Sequence, residues 1–385
     1  MRTLSRKDHK RPSFWKGSLS QQLIEVLHQI QSDFPQIDRI SFALYEQSTD
    51  LVKTYADSAQ YCTGILRHYE HKLSSLPTLK ECAENHKFRV IDNFDSDLDN
   101  TSHHNQWLIE QGLKSSLTIP TYLEEDLIGF IFINATVENY FTNDIQEKLL
   151  PFIDIIVQAA TWEYETVHTI FDAANSTIQR QPRHMAQLKD HQQRMHYYTK
   201  LIATGVSHVY ELSDEEIENI IIFSRFHDIG KLSIAPSVLQ KCANLQKSEK
   251  DKVYDHIEKG INIVEEIISK TGCSSHACLN ILKEIISYYQ ERLNGTGYPF
   301  GLQGEQIPVS ARIIAVANIF DALTSHRPYK QACSVAYALL ELEKMVSGGE
   351  IDNHCVNALR QHQQKLSDII NEYPETDPSD MEIKH

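Results

Sequence analysis

Between Ile145 and Ile178 the apolar residues keep helical spacing without a break, through Leu149, Phe152, Ile155, Ile156, Ala159 and Trp162. The run is longer than one compact domain needs, so it predicts a helix that joins two bodies. A chain of 385 residues also exceeds what a single core usually organises. Upstream of the helix the periodicities are mixed. Leu19 to Ser32 repeats Leu23, Ile24, Leu27 and Ile30 at helical spacing and is closed by Phe34-Pro35. Ile37 to Tyr45 alternates as a strand, Leu79 to Asn85 looks helical, and Arg89-Val90-Ile91 is a short strand. Asp92 to Asn105 is polar enough for a loop. Ser116 to Pro120 and Leu127 to Ile133 flank the acidic turn Glu124-Glu125-Asp126 and read as a hairpin. Downstream of Lys189 nothing alternates over any length. The expected fold is therefore an α+β domain followed by an all-α domain, joined by a long helix.

Composition narrows the function classes. The formal charge of −15 disfavours a sequence-independent grip on nucleic acid, which needs a basic surface, while a locally basic pocket for a small anion stays open. Seven cysteines, an odd number without a CxxC pair, suggest neither a disulfide framework nor a thiolate zinc site, so a reducing cytoplasm fits best. The opening MRTLSRKDHKRPSFWKGS is basic but lacks an apolar h-region, and no apolar run approaches the ~18 residues that span a bilayer. Residues 1–17 read as a flexible tail and residues 371–385 as a polar one. No membrane association is expected.

In the first part, the element order together with GLKSSLTIPTYLEEDLIGFIFINA and FTNDIQEKLLPFIDIIVQAA resembles a GAF domain over residues 18–165. The resemblance implies a small-molecule sensing fold whose ligand is unknown or absent. His103, His104 and Cys62 are conceivable metal or haem contacts, but in a chain with nineteen histidines a surface loop is the simpler reading. Residues 166–184 continue the connecting helix. Its apolar stripe predicts pairing with a second copy in a parallel homodimer, and docking on its own domain explains the stripe almost as well.

The second part carries chemistry. His227-Asp228 in RFHDIGK places an imidazole and a carboxylate side by side, a pair suited to one metal, with the carboxylate free to bridge to another. Around it stand DHIEKG at 255–260, ERLNGTGYPFGLQGEQIP, and ARIIAVANIFDALTSHRPYK. Together these segments resemble the HD-GYP family, bacterial enzymes that hydrolyse cyclic di-GMP at a two- or three-metal site, over residues 185–370. The resemblance implies that His191, His227 and Asp228 ligate the first metal and that Asp228 also bridges. It further implies His256 as a ligand of the second metal and Lys231 beside the substrate phosphate, so that Asp228 and Lys231 are the catalytic pair. Gly295, Gly297, Tyr298 and Pro299 keep the GYP loop, and Arg327 and Lys330 match positions that contact the dinucleotide. Arg312 and Asp321 read as structural.

Three family ligands are replaced. Tyr289 and Gln290 stand where the family has two consecutive histidines, and Asn318 stands where it has an aspartate; Gln187 stands where some members have a third-metal glutamate. One weakly held divalent metal, manganese, iron or similar, is the expected remnant, with Asn318 as a neutral donor. Tyr288-Tyr289 would fill the space the imidazoles left. Three functions follow: a cyclic di-GMP receptor with impaired catalysis, a protein-interaction module, and an active phosphodiesterase.

Overall fold

Helix α1 (Leu19–Asp33) starts at a reciprocal cap: the Ser18 hydroxyl accepts from Gln21 N at 3.2 Å, and the Gln21 side chain accepts from Ser18 N at 3.3 Å. The computed structural model describes residues 17–59, 68–98, 103–180, 186–234, 254–272, 276–325 and 332–374. The chain divides into two units, Met1–Glu165 and Thr166–His385.

The first unit is built on six antiparallel strands in the order β3-β2-β1-β6-β5-β4. They are β1 (Ile37–Glu46), β2 (Leu51–Asp57), β3 (Glu70–Lys72), β4 (Arg89–Ile91), β5 (Ser115–Leu123) and β6 (Asp126–Ala135). The predicted hairpin is β5–β6, with Ile119 opposite Ile131 and the ladder ending at Leu123 and Asp126. Glu124 takes the left-handed conformation that so tight a turn requires. One face of the sheet, with Ile40, Phe42, Ile119, Ile131 and Ile133, packs on α1 and on the first part of the long helix α5 (Asn143–Gln179) through Leu149, Ile153 and Ile156. The other face packs Ala43, Val52 and Phe130 against α2 (Pro77–Glu84). This α+β architecture is the one the GAF resemblance implies.

Part of the polar stretch expected as a loop is helical among its described residues. It holds α3 (Phe94–Asp97) and α4 (His103–Glu110), which bury Phe94, Trp107, Leu108 and Leu113 in a small separate cluster. His104 is thus a helical, half-buried residue stacked on Tyr69 with ring centroids 4.8 Å apart, and the surface-loop reading is corrected. Cys62 and the side chain of His103 lie outside the described residues.

The second unit is all helical among its described residues. It comprises the end of α5, then α6 (Ala186–Tyr210), α7 (Asp214–Phe223), α8 (His256–Thr271), α9 (Cys278–Tyr288), α10 (Val309–Thr324), α11 (Val335–Ser347), α12 (Asn353–Arg360) and α13 (Gln363–Glu372). Their inward faces share one core that includes Ile202, Ile220, Leu282, Ile313, Phe320 and Leu359. Val167, Ile170, Ala174 and Ile178 of α5 are buried in the same core. Much of the apolar stripe that suggested a dimer is therefore used inside each unit, while Phe152, Ile155 and Trp162 are only partly buried.

Candidate metal and phosphodiester site

The site forms where five helical segments of the second unit converge, α6, α7, α8, α9 and α10. Helix α7 ends at Phe223; tighter 3-10 turns at Ser224–Phe226 and Ile229–Ser233 follow, and His227-Asp228 sits between them. Gly230 makes this crossing possible. A Cβ on it would meet the His256 carbonyl oxygen at 1.8 Å and Gly260 N at 2.6 Å, so only glycine lets the start of α8 lie against the His-Asp turn. That approach brings His256, 1% exposed, beside Asp228.

Helix α6 contributes His191, and the nitrogens and oxygen of His191, His227 and Asp228 lie within 4.8 Å of one another. The protonation of the two imidazoles follows from their partners. The carbonyl of Ser224 can only accept, so His227 Nδ1, at 2.8 Å from it, carries a proton. His191 Nδ1 lies 2.7 Å from Asp321 Oδ2. Burial alone would raise the Asp321 carboxyl, but His191 and then Arg194 outweigh it and hold it well below the usual carboxylate range. An ionised Asp321 also only accepts, so His191 Nδ1 is protonated as well. The two Nε2 atoms, 3.4 Å apart, thus face each other as bare lone pairs when the rings are neutral. Only a shared cation, a proton or a metal, relieves that contact. With Asp228 Oδ2 at 3.4 Å from His227 Nε2, the donor set fits one divalent ion.

Asp321 was read as structural, and it does form a buried internal ion pair; it also orients a candidate ligand. Arg194, one turn after His191 on α6, clamps it with Nε to Oδ1 at 2.6 Å and Nη2 to Oδ2 at 3.2 Å. The spacing of three residues between His191 and Arg194 is the signal that could have revealed this pair. Arg312 pairs elsewhere, with Asp352 at 3.6 Å and with the Ile307 carbonyl at 2.7 Å. Asn318 is half-buried on α10, one turn before Asp321 and on the same face.

On the other side of Asp228 the arrangement differs. Tyr289 is 1% exposed, and its hydroxyl donates to Asp228 Oδ1. Because that proton is committed, the contact at 2.8 Å between Tyr289 Oη and His256 Nε2 is made by the imidazole N–H. Burial first, then the Asp228 charge, push the phenol well above its ordinary range, so it stays neutral. Asp228 Oδ2 takes Lys231 Nζ at 2.5 Å. Burial acts to raise the Asp228 carboxyl, but the Lys231 ammonium, then His227, hold it well below the usual value. The carboxylate is satisfied by a cation and a phenol supplied by the protein. Gln290 is half-buried and its carbonyl accepts from Tyr298 N at 3.3 Å.

The loop that carries Gly295, Gly297, Tyr298 and Pro299 is fastened by Glu291, 2% exposed, which accepts from Phe300 N at 2.7 Å and Leu302 N at 3.0 Å. A Cβ at Gly297 would meet Arg292 N at 2.3 Å, so the backbone strands touch there. Glu291 was not singled out in the sequence, although it sits directly after the replaced histidine positions. Arg327, Lys330 and the side chain of Gln187 lie outside the described residues.

Residues 176–354 match the HD domain family. The cyclic di-GMP phosphodiesterase response regulator RpfG of Xanthomonas campestris pv. campestris is 35% identical over 181 residues, 47% of this chain and 45% of that protein. The 3'3'-cGAMP-specific phosphodiesterase 2 of Vibrio cholerae serotype O1 is 36% identical over 140 residues, 36% of this chain and 25% of that protein. The matches thus span less than half the length of these relatives. The GAF domain of a two-component sensor histidine kinase from Bacillus halodurans is 17% identical, with a TM-score of 0.29, over 36% of this chain and 92% of that one. The HD domain match thus falls within the second unit, and the α+β unit precedes it. The relatives this chain aligns with are named as cyclic dinucleotide phosphodiesterases, the kind of protein that the HDIGK and NGTGYP segments resemble.

Proposed function

We propose that this protein is a cytoplasmic cyclic dinucleotide receptor whose HD domain holds at most one metal and turns its ligand over poorly. The observation that carries the reading is the Tyr289 hydroxyl lodged between His256 and Asp228. The family resemblance places the second metal between those two residues. A neutral phenol there is a poor donor to a transition metal, and it uses up both the His256 Nε2 and one Asp228 oxygen. A hydroxide bridging two metals is what lowers the barrier in two-metal hydrolysis, and one ion supplies only part of that effect. His191, His227 and Asp228 would hold the remaining ion, which when bound supplies Lewis acidity and a more acidic water. Asn318 would add a neutral oxygen. Lys231 offers a fixed cation to a phosphate, and the GYP loop keeps its close-packed backbone.

Calorimetric titration with cyclic di-GMP, alongside a hydrolysis assay in manganese, tests the reading. Binding without turnover is expected. No heat at high micromolar ligand would leave a protein-interaction module. The His191, His227 and Asp228 group favours one further reading, a one-metal phosphohydrolase, which turnover at an ordinary enzymatic rate of about 1 per second or more would establish.

A further inference from the structure

We propose that the exposed face of Tyr254 is a stacking subsite for a nucleobase of the bound cyclic dinucleotide, an inference that rests on the receptor reading above. Tyr254 stands two residues before His256 and lies against Tyr298 of the GYP loop, with ring centroids 4.1 Å apart and planes tilted by 31°. Tyr298 in turn meets the His256 ring edge to face at 6.4 Å. The aromatic column therefore runs from the surface to the group that contains Asp228. Burial, then the Asp228 charge and Tyr254, raise the Tyr298 phenol, which places Tyr298 within electrostatic reach of the site.

A single exposed aromatic ring is common on protein surfaces and needs no explanation. Tyr254 differs in two respects. It is 47% exposed although its ring lies against Tyr298, so ring surface is left open to a ligand. Through Tyr298 and His256 it is also connected to Asp228, where Lys231, 31% exposed, offers a cation. A ligand that joins an anionic phosphodiester to a planar ring satisfies both features, and a ligand with only one of them does not. Stacking accepts any base with a π-face, so the subsite serves guanine and adenine alike.

The test uses the full chain. Wild type, Tyr254→Ala, Tyr254→Leu and Tyr254→Trp are titrated calorimetrically with cyclic di-GMP, and a 2-aminopurine-substituted cyclic dinucleotide reports stacking by fluorescence quenching. The alanine and leucine variants should bind about tenfold more weakly, and the tryptophan variant should stay near wild type. Quenching should be lost with alanine and leucine only. Leucine keeps apolar bulk without a π-face, so a leucine variant that binds and quenches like wild type overturns the subsite. If wild type itself binds no cyclic di-GMP, the receptor reading fails and takes the subsite with it. If wild type binds and all variants match it, the subsite alone is wrong.

Discussion

At the scale of single residues, the site is organised by which atoms can and cannot donate. Ser224 O and Asp321 fix both Nδ1 protons, and this turns two histidines into paired lone-pair donors. Asp321→Asn can present its amide N–H to His191 Nδ1 and invert that tautomer. Manganese affinity should then fall about 10- to 100-fold, as is typical for partners of metal-bound histidines; unchanged affinity in an equilibrium titration would refute the role given to Asp321. His104 supplies a second prediction. Burial of its ring lowers its pKa to about 4, with the Asn105 contact opposing and Arg39 and His71 adding. Between about 6.5 and about 4 the unfolded chain binds a proton that the folded chain refuses, so stability rises with pH across that window. The contribution lost on acidification is on the order of 1–2 kcal/mol after discounting for solvent reaching a half-buried ring. His104→Gln should flatten that slope in urea midpoints measured at pH 7 and pH 5, and a parallel slope in the variant would count against it. His191, His227 and Asp228 were legible from one dipeptide and a resemblance. The hydroxyl bridge of Tyr289 was not, because a sequence shows a replaced ligand but not where its replacement points.

Among the elements, those with a strong period were readable and those stabilised by tertiary contact were not. Helix α1, the β5–β6 hairpin and the long α5 each carry their pattern in their own residues. Strand β3, Glu-His-Lys, is exposed throughout and forms only because β2 offers it an edge, with Leu51 opposite Lys72. Helix α4 has just Trp107 and Leu108 buried, too few to set a period. The turn between α7 and α8 depends on one atom-scale fact, the absence of a Cβ at Gly230. Gly230→Ala must separate the His-Asp turn from α8, at a cost on the order of 1–3 kcal/mol. Loss of stability in the second unit, followed by far-UV circular dichroism, should accompany loss of ligand binding. A variant as stable as wild type would mean that the two backbones are less tightly opposed than 1.8 Å implies.

For the whole molecule, the two units can be followed separately. All three tryptophans, Trp15, Trp107 and Trp162, fall in Met1–Glu165, so their fluorescence reports the first unit while the second contributes most of the helix signal. None of the described helices is long and apolar enough to cross a membrane. The same two-part chain joins an α+β unit to a helical unit in which protein groups, Tyr289 and Lys231, contact a carboxylate that metals serve in the family it resembles. The direct test of that substitution is metal stoichiometry after equilibration with excess manganese, measured by elemental analysis on wild type and on the triple variant Tyr289→His, Gln290→His, Asn318→Asp. The account predicts no more than one ion per chain in wild type and a second ion in the triple variant. Two ions per wild-type chain would contradict it.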